Sequence, residues 1–135
     1  MIVLDSSFLV AFHNTRDVHH QAAAAIMKRL VAGEWGAALL PEYVFLEVVT
    51  VIAARRDPPA AITVGETLLR AREVELVPCS AYFSATVDTF RRVAAMGLSF
   101  VDAAIVTIAR SRGAPHVATF DGDFAKVDAM TLIPS

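Results

Sequence analysis

Short runs of apolar, often β-branched residues alternate along the chain with longer segments in which apolar residues recur at helical spacing. The short runs predict strands at Ile2–Leu4, Ala37–Leu40, Val74–Val77, His116–Thr119 and Thr131–Ile133. The longer segments predict helices at Phe8–Phe12, His19–Leu30, Pro41–Arg56, Ala60–Arg72, Ser80–Met96 and Ser99–Arg112. This alternation is typical of an α/β fold, and we expect a three-layer α/β/α domain with a mostly parallel central sheet of four or five short strands.

Proline and glycine mark several of the predicted boundaries. Pro41 is expected at the first position of its helix, where a missing N–H costs nothing. The residues around Pro58 are expected to separate two helices, and Gly97 and Gly113 to close the helices before them. The length of 135 residues suits one domain over residues 1–135, with no repeat or linker.

Four acidic residues fall where this topology brings separate segments to one edge of the sheet. Asp5 and Asp121 each follow a predicted strand, and Glu47 and Asp102 lie near the starts of helices that begin at the same edge. Two carboxylates about 4 Å apart repel each other by about 4 kcal/mol at an effective dielectric near 20, so a cluster takes up protons or binds a cation. Oxygen ligands suit Mg²⁺ or Mn²⁺, and such a site can cleave phosphodiesters.

Each acid also has a structural explanation when it is taken alone. Asp5 is placed to cap the helix after it, Asp102 fits a helix capping box, and Asp121 begins an Asp-Gly turn. Glu47 is harder to explain in this way because it lies in an apolar run, where an unpaired carboxylate is costly. The shared position of all four favours a functional site.

Composition limits the remaining possibilities. The hydrophobic fraction of 56% is above that of an average soluble domain, which suggests a buried sheet and an apolar face for a partner. No apolar run is long enough to span a membrane and the N-terminus does not resemble a secretory signal, so we expect a cytoplasmic protein. The single cysteine, Cys79, excludes an internal disulfide and is expected in the core.

The same acidic residues carry a resemblance to a known family. The chain resembles PIN-domain proteins, and among them the VapC group of toxin–antitoxin ribonucleases, over nearly its whole length. The resemblance lies in four segments that occur in the family's order, at Ile2–Ser7, Pro41–Val48, Gly97–Ile105 and Ala118–Phe124.

The resemblance implies a Mg²⁺- or Mn²⁺-dependent endoribonuclease that cuts single-stranded or structured RNA. The implied catalytic and metal-binding residues are Asp5, Glu47, Asp102 and Asp121, with Ser7, Thr119 and Asp123 in support. The position of Asp123 is acidic in many members of the family but not in all. Members commonly form homodimers and are inhibited by a small antitoxin that docks an apolar helix in a groove, so both are expected here.

The charge balance bears on the expected RNA substrate. A net charge of −2 argues against a protein whose whole surface binds nucleic acid. Ten of the twelve basic residues are arginines, whose guanidinium groups suit bidentate contact with phosphate, but a simple position in solvent at helix ends, where the dipole favours cations, explains any one pair equally well. The substrate would need a local basic strip, and the candidates for it are Arg16, Arg55, Arg56 and Lys126.

Two other functions are compatible with the sequence. A phosphatase or phosphotransfer domain would use Asp5 as its nucleophile, but Ser7 stands where such phosphatases usually carry a second aspartate. A non-catalytic module could keep the fold and bind a partner or RNA, although the intact set of acids argues against it.

Overall fold

One parallel sheet organises the part of the chain that the computed structural model describes, residues 1–134. Its five strands within that range are β1 (Ile2–Leu4), β2 (Ala38–Pro41), β3 (Val74–Val77), β4 (His116–Ala118) and β5 (Thr131–Ile133). All neighbouring strands pair in parallel, in the order β3-β2-β1-β4-β5. The predicted parallel sheet of short strands is confirmed.

The α-helices found in residues 1–134 are α1 (Ser6–His13), α2 (His20–Val31), α3 (Glu42–Arg55), α4 (Pro58–Arg70), α5 (Phe83–Val93) and α6 (Phe100–Arg112). The chain moves in one direction from β1 to β2 to β3 and then returns past β1 to β4. Right-handed crossovers therefore place α1 to α4 on one face of the sheet and α5 and α6 on the other. The packing of α3 against α1 and α4, and of α5 against α6, agrees with this three-layer arrangement.

The core lies on both faces of the sheet, where buried side chains of α1–α4 and of α6 pack against the strands. Every side chain of β1 is buried, and so is every residue of α6 from 103 to 109, because that helix lies between the sheet and α5. Phe8 and Phe124 are fully buried, and burial of a side chain of this size contributes about 1.5–3 kcal/mol. Cys79 is also buried, as expected. This core holds the strand ends that carry the acids.

Two boundary predictions at prolines were wrong. Pro41 ends β2, where it pairs with Val77, because its φ of −62° and ψ of 143° extend the strand by one residue. The helix predicted from Ala60 begins at Pro58 instead. Asp57 Oδ1 accepts the Ala60 N–H at 2.7 Å, and prolines at the start of a helix have no N–H that needs a partner.

Other predicted boundaries also needed correction. The helix expected over residues 80–96 is divided into a 3-10 turn, α5 and a second 3-10 turn, because the backbone at Tyr82 departs from α-helical angles and residues 94–96 tighten before the left-handed Gly97. The strand expected to end at Thr119 ends at Ala118. Residues 122–126 form a 3-10 helix after Asp121 rather than a simple turn.

The outer surface of α3 and α4 carries exposed apolar side chains. Leu46, Ile62 and Leu69 are each 57–61% exposed. A groove of about 780 Å³ runs between the two helices and is lined mainly by apolar residues, among them Phe45 and Val49. No helix in residues 1–134 is both long enough and apolar enough to cross a membrane.

Candidate active site

Asp5 directly follows β1, at the point where the order of the sheet reverses. The chain leaves β1 toward β2 on one side, while β4 pairs with β1 on the other. In α/β sheets, ligands bind beyond the carboxyl ends of the strands at such a reversal. Asp5 is only 3% exposed, and its N–H donates to the carbonyl of Ala118 at the end of β4, at 3.0 Å. The residue is therefore fixed between two strand ends.

Two hydroxyl groups hold the Asp5 carboxylate. Ser7 Oγ donates to Asp5 Oδ2 at 2.8 Å, and Thr119 Oγ1 donates to the same oxygen at 2.7 Å. Each hydroxyl in turn accepts a backbone N–H at 2.9 Å, from Phe120 at Ser7 and from Asp121 at Thr119. Such chains of hydrogen bonds polarise one another and fix the orientation of the carboxylate.

Asp5 bears its negative charge in an unfavourable environment. Burial raises the pKa of Asp5 above its ordinary value, and although hydrogen bonds from Thr119, Ser7 and the Ser6 backbone lower it, the nearby charge of Glu47 raises it further. Asp5 also occupies the N-cap position of α1 without making a side-chain capping bond. Helix capping therefore does not explain this buried carboxylate, which a cation would stabilise.

Glu47 reaches from α3 to the start of α1. Its Oε1 accepts a hydrogen bond from Ser6 Oγ, and its side chain is half-buried. Its charge acts on Asp5, so the two carboxylates lie within electrostatic range of each other. Ser6 was not among the predicted site residues. Its position in the sequence could have identified it, because a hydroxyl next to Asp5 at the start of a helix is well placed to meet a second acid.

Asp102 combines a structural role with a place beside the other acids. It completes the predicted capping box of α6, in which the Ser99 N–H donates to Asp102 Oδ2 at 2.8 Å and the Asp102 N–H donates to Ser99 Oγ at 3.2 Å. Partial burial raises the pKa of Asp102, and the negative charges of Asp5 and Asp121 also raise it. Asp102 therefore does cap α6, as the structural explanation predicted. Its carboxylate also lies close enough to Asp5 and Asp121 to be affected by their negative charges.

Asp121 lies just beyond β4, at the start of the following 3-10 helix. Its Oδ1 accepts the N–H of Asp123 at 2.9 Å, and its own N–H donates to Thr119 Oγ1. Thr119 therefore connects Asp121 to Asp5. The turn-forming role expected for Asp121 is present, and it leaves the residue near the other acids.

The Asp123 side chain and Lys126 form an ion pair beside this network, which Asp123 touches only through its backbone N–H. Lys126 Nζ donates to Asp123 Oδ1 at 2.8 Å and to the carbonyl of Met96 at 3.0 Å. Gly97 next to Met96 has a φ of 91°, and a Cβ atom there would come within 3.1 Å of Asp123 Oδ2. Asp123 thus holds its loop against the segment before α6, and the Lys126 ammonium group is already occupied.

The four acids supply only oxygen donors, which suit a hard divalent cation. Their side chains do not converge on one point, however. In the described range 1–134, no three His, Cys, Asp or Glu residues are placed to hold a metal ion together. The acids are related instead by hydrogen bonds from neighbouring hydroxyl groups and by electrostatic repulsion between their carboxylates. The donor chemistry fits Mg²⁺ or Mn²⁺, and coordination by three of these acids would need side-chain rearrangement.

Three of the four basic candidates lie together. Arg16, Arg55 and Arg56 line one cleft of about 630 Å³, between the loop after α1 and the end of α3. Arg55 also lines a smaller pocket with Ser6 and Ser7, so this basic group approaches the acids. The fourth candidate, Lys126, forms the ion pair with Asp123 described above.

Comparison with known proteins gives consistent results. Residues 2–130 match the PIN domain family. VapC20 from Mycobacterium tuberculosis, described as a sarcin–ricin loop cleaving toxin, is similar in structure with a TM-score of 0.80 and 27% identity, over 93% of this chain and 94% of that chain. No curated protein matches the sequence.

Two further solved structures share the fold at lower identity. VapBC2 from Rickettsia felis, solved with a DNA fragment from its promoter, has a TM-score of 0.70 and 15% identity over 98% of this chain and 97% of that chain. PAE2754 from Pyrobaculum aerophilum has a TM-score of 0.64 and 18% identity over 98% and 89%.

Proposed function

The chain belongs to the PIN domain family, and from this premise we propose that it is a metal-dependent endoribonuclease and the toxin of a toxin–antitoxin pair. The observation that carries the proposal is the buried Asp5 carboxylate, held by Ser7 and Thr119 and within electrostatic range of Glu47 and Asp102. The likeness to VapC20, a sarcin–ricin loop cleaving toxin, supports RNA cleavage as the reaction.

In this proposal Asp5, Glu47, Asp102 and Asp121 hold Mg²⁺ or Mn²⁺. The cation would supply Lewis-acid stabilisation of the negative charge that develops as the phosphodiester is cleaved. The chain's own part is to orient the donors: Ser7 and Thr119 fix one oxygen of Asp5, and Ser6 directs Glu47 toward the same region. Binding of a cation would also relieve the cost of the buried charge on Asp5.

The proposal includes protein partners. The apolar groove between α3 and α4, with Ile62 and Leu69 exposed at its sides, suits an apolar helix of a small antitoxin or the surface of a second copy of this chain. A toxin of this kind would act on RNA in the cytoplasm. A short gene for a DNA-binding antitoxin beside the gene for this chain would support the pairing.

The proposal is tested by RNA cleavage with purified protein. We expect cleavage of single-stranded RNA with Mg²⁺ or Mn²⁺, none in a chelator, and a loss of about 100- to 1,000-fold in Asp5→Asn, because a metal ion supplies several kcal/mol of transition-state stabilisation. Asp88→Asn is the matched control, since Asp88 pairs with Arg91 on the surface of α5. Undiminished cleavage by folded Asp5→Asn, or full activity in chelator, would contradict the proposal.

A further inference from the structure

Three arginines from two separate segments line a single cleft beside the candidate active site. Arg16 lies in the loop after α1, and Arg55 and Arg56 lie at the end of α3. With His13 and Asp57 they line a space of about 630 Å³. We propose that this arginine cleft (Arg16, Arg55 and Arg56) binds backbone phosphates of an RNA strand whose scissile bond lies at the acids. This inference rests on the proposed ribonuclease function.

The charges in the cleft are free to meet a ligand. All three arginines are exposed, and none of them forms an ion pair with any residue between 1 and 134. Arginines elsewhere do form such pairs, for example Arg112 with Glu75. The Arg16 backbone is held by a turn in which its N–H donates to Asn14 Oδ1 at 3.1 Å. The cleft therefore presents three guanidinium groups that form no ion pair with a carboxylate of residues 1–134.

Other titratable groups around the cleft leave it positive. Among residues 1–134, Asp57 is the one acid that lines it, and its Oδ1 already accepts the Ala60 N–H at the start of α4. Burial lowers the pKa of His13, so its imidazole is neutral at pH 7 and adds no charge. Asp17 lines the neighbouring pocket, where its Oδ1 accepts the His19 N–H at 2.8 Å. Three guanidinium groups thus face one carboxylate within the cleft itself.

A continuous path joins the cleft to the acids. Glu47, Val51 and Arg55 follow one another at intervals of four residues, so they form one stripe along α3. At 1.5 Å per residue, Glu47 and Arg55 are about 12 Å apart along the helix axis. A pocket of about 280 Å³ beside this stripe is lined by Ser6, Ser7, Val51 and Arg55. Arg55 therefore belongs both to the cleft and to the approach to Asp5 and Glu47.

Phosphodiester oxygens suit these residues chemically. The planar fork of arginine matches two oxygens of a phosphate, and the arginines come from two segments that would flank a strand. The chain carries a net charge of −2, so an RNA strand needs a local positive region to approach the acids at all. The cleft supplies that region on one side of the site.

The test measures RNA binding in the absence of cleavage. Affinity for a labelled, mixed-sequence single-stranded RNA is measured by fluorescence anisotropy in EDTA over a range of salt concentrations. Wild type is compared with Arg16→Gln, Arg55→Gln, Arg56→Gln and their triple combination. The matched control is Arg92→Gln on α5, an exposed arginine on the opposite face of the sheet. Thermal unfolding checks that each variant is folded.

The triple variant should lose roughly tenfold or more in affinity, with the same loss for RNAs of different sequence. The slope of log affinity against log salt should fall by about 2, because each phosphate neutralised on a single strand contributes about 0.7. With Mn²⁺ present, the triple variant should show a raised KM and a kcat close to that of wild type. Unchanged affinity and slope in the triple variant, or an equal loss in Arg92→Gln, would overturn the proposal.

The two proposals fail in different ways. If wild type cleaves RNA and the triple variant binds it as tightly as wild type, the arginine cleft is wrong and the ribonuclease proposal stands. If wild type binds RNA through the arginines but leaves it intact with every divalent cation, the ribonuclease proposal is wrong and the cleft stands.

Discussion

The four acids Asp5, Glu47, Asp102 and Asp121, here called the acid site, lie next to the arginine cleft. The two regions differ in how firmly the protein holds their charged side chains. At the acid site, Asp5 is buried, and the hydroxyls of Ser7 and Thr119 fix its carboxylate from two strand ends. In the cleft, Arg55 and Arg56 are exposed and have no carboxylate partner in residues 1–134. One region is held by hydrogen bonds before a ligand arrives, and the other is a set of exposed charges without ion-pair partners in residues 1–134.

This difference separates the expected roles of the two regions. A fixed carboxylate at the end of a buried strand suits chemistry, because reacting groups must be held within a fraction of an ångström. Long exposed side chains suit contact with a flexible backbone, where the attraction is long-ranged and tolerant of geometry. Changes at the acids should therefore affect turnover, and changes at the arginines should affect binding.

The largest effect is expected at a second acid of the site. Glu47→Gln keeps the shape of the side chain and can still accept the Ser6 hydroxyl, but it removes the charge. We expect kcat to fall about 100- to 1,000-fold, because several kcal/mol of metal-dependent stabilisation are lost. RNA affinity in EDTA should stay within about twofold of wild type or improve slightly, because a repulsive charge is gone.

Glu66→Gln is the control for that change, since Glu66 pairs with Arg70 on the exposed surface of α4. A Glu47→Gln variant with normal kcat and weakened RNA binding would reverse the roles that we assign to the two regions.

A smaller loss is expected when the support of Asp5 is removed. Thr119→Val keeps the size of the side chain but deletes the hydroxyl that donates to Asp5 and accepts from the Asp121 N–H. Loss of a group that orients a metal ligand typically costs 10- to 100-fold, so kcat in Mn²⁺ should fall by about that factor. Steady-state cleavage kinetics measure the effect.

Thr107→Val separates this loss from a general effect of deleting a buried hydroxyl. Thr107 is buried between α5 and α6, where its hydroxyl lies 2.8 Å from that of Thr89. The control should lose stability and keep its kcat. Equal losses of activity in both variants would show that Thr119 acts through stability alone.

A weaker effect, on RNA affinity, is expected to separate Lys126 from the three arginines among the basic candidates. Lys126→Gln should change RNA affinity by less than about twofold, because its ammonium group is held by Asp123 and the Met96 carbonyl. Arg55→Gln should weaken binding severalfold in the same anisotropy assay. A larger loss in Lys126→Gln than in Arg55→Gln would move the RNA path to the other side of the acid site.

The smallest effect concerns stability and has a defined pH dependence. The raised pKa of Asp5 means that folding favours its protonated form. Its contribution to the free energy of unfolding is most favourable below the ordinary pKa of 3.8 and is lost as the pH rises through the raised, folded-state pKa. In chelator at neutral pH, Asp5→Asn should therefore unfold at a higher temperature than wild type.

The stability difference between Asp5→Asn and wild type should shrink toward acidic pH, as thermal unfolding at several pH values would show. Added Mn²⁺ should stabilise wild type and leave Asp5→Asn unchanged, because a ligand stabilises only the form that binds it. A variant that is less stable than wild type in chelator at neutral pH would contradict the account of Asp5.

Much of the fold and the location of the acids could be predicted from the sequence for simple reasons. The β1, β3 and β5 runs are short and rich in β-branched or apolar residues, and the rule for parallel crossovers then brings Asp5 and Asp121 to one edge. Boundaries at prolines were harder. Pro41 has a φ that suits both a strand end and a helix start, and only pairing with Val77 decides between them.

The finer features of the site depend on tertiary contacts that local patterns do not encode. The bond from Ser6 to Glu47 joins residues 41 positions apart, and the tether of Lys126 to the Met96 carbonyl depends on how two loops meet. The stripe from Glu47 to Arg55 was visible in the spacing of α3. The position of Arg16 beside Arg55 depends instead on how the loop after α1 packs against the end of α3.

The central claim is that Asp5 and at least two of the acids Glu47, Asp102 and Asp121 bind one divalent cation, which requires side-chain rearrangement because no three acids in residues 1–134 are placed to share one. The most direct test is a crystal structure of the protein soaked in Mn²⁺, with anomalous scattering to locate the ion. We predict a peak bound by Asp5 and at least two of the other predicted acids, and its loss in Asp5→Asn crystals. No peak at saturating Mn²⁺, or a peak away from Asp5, would contradict the claim.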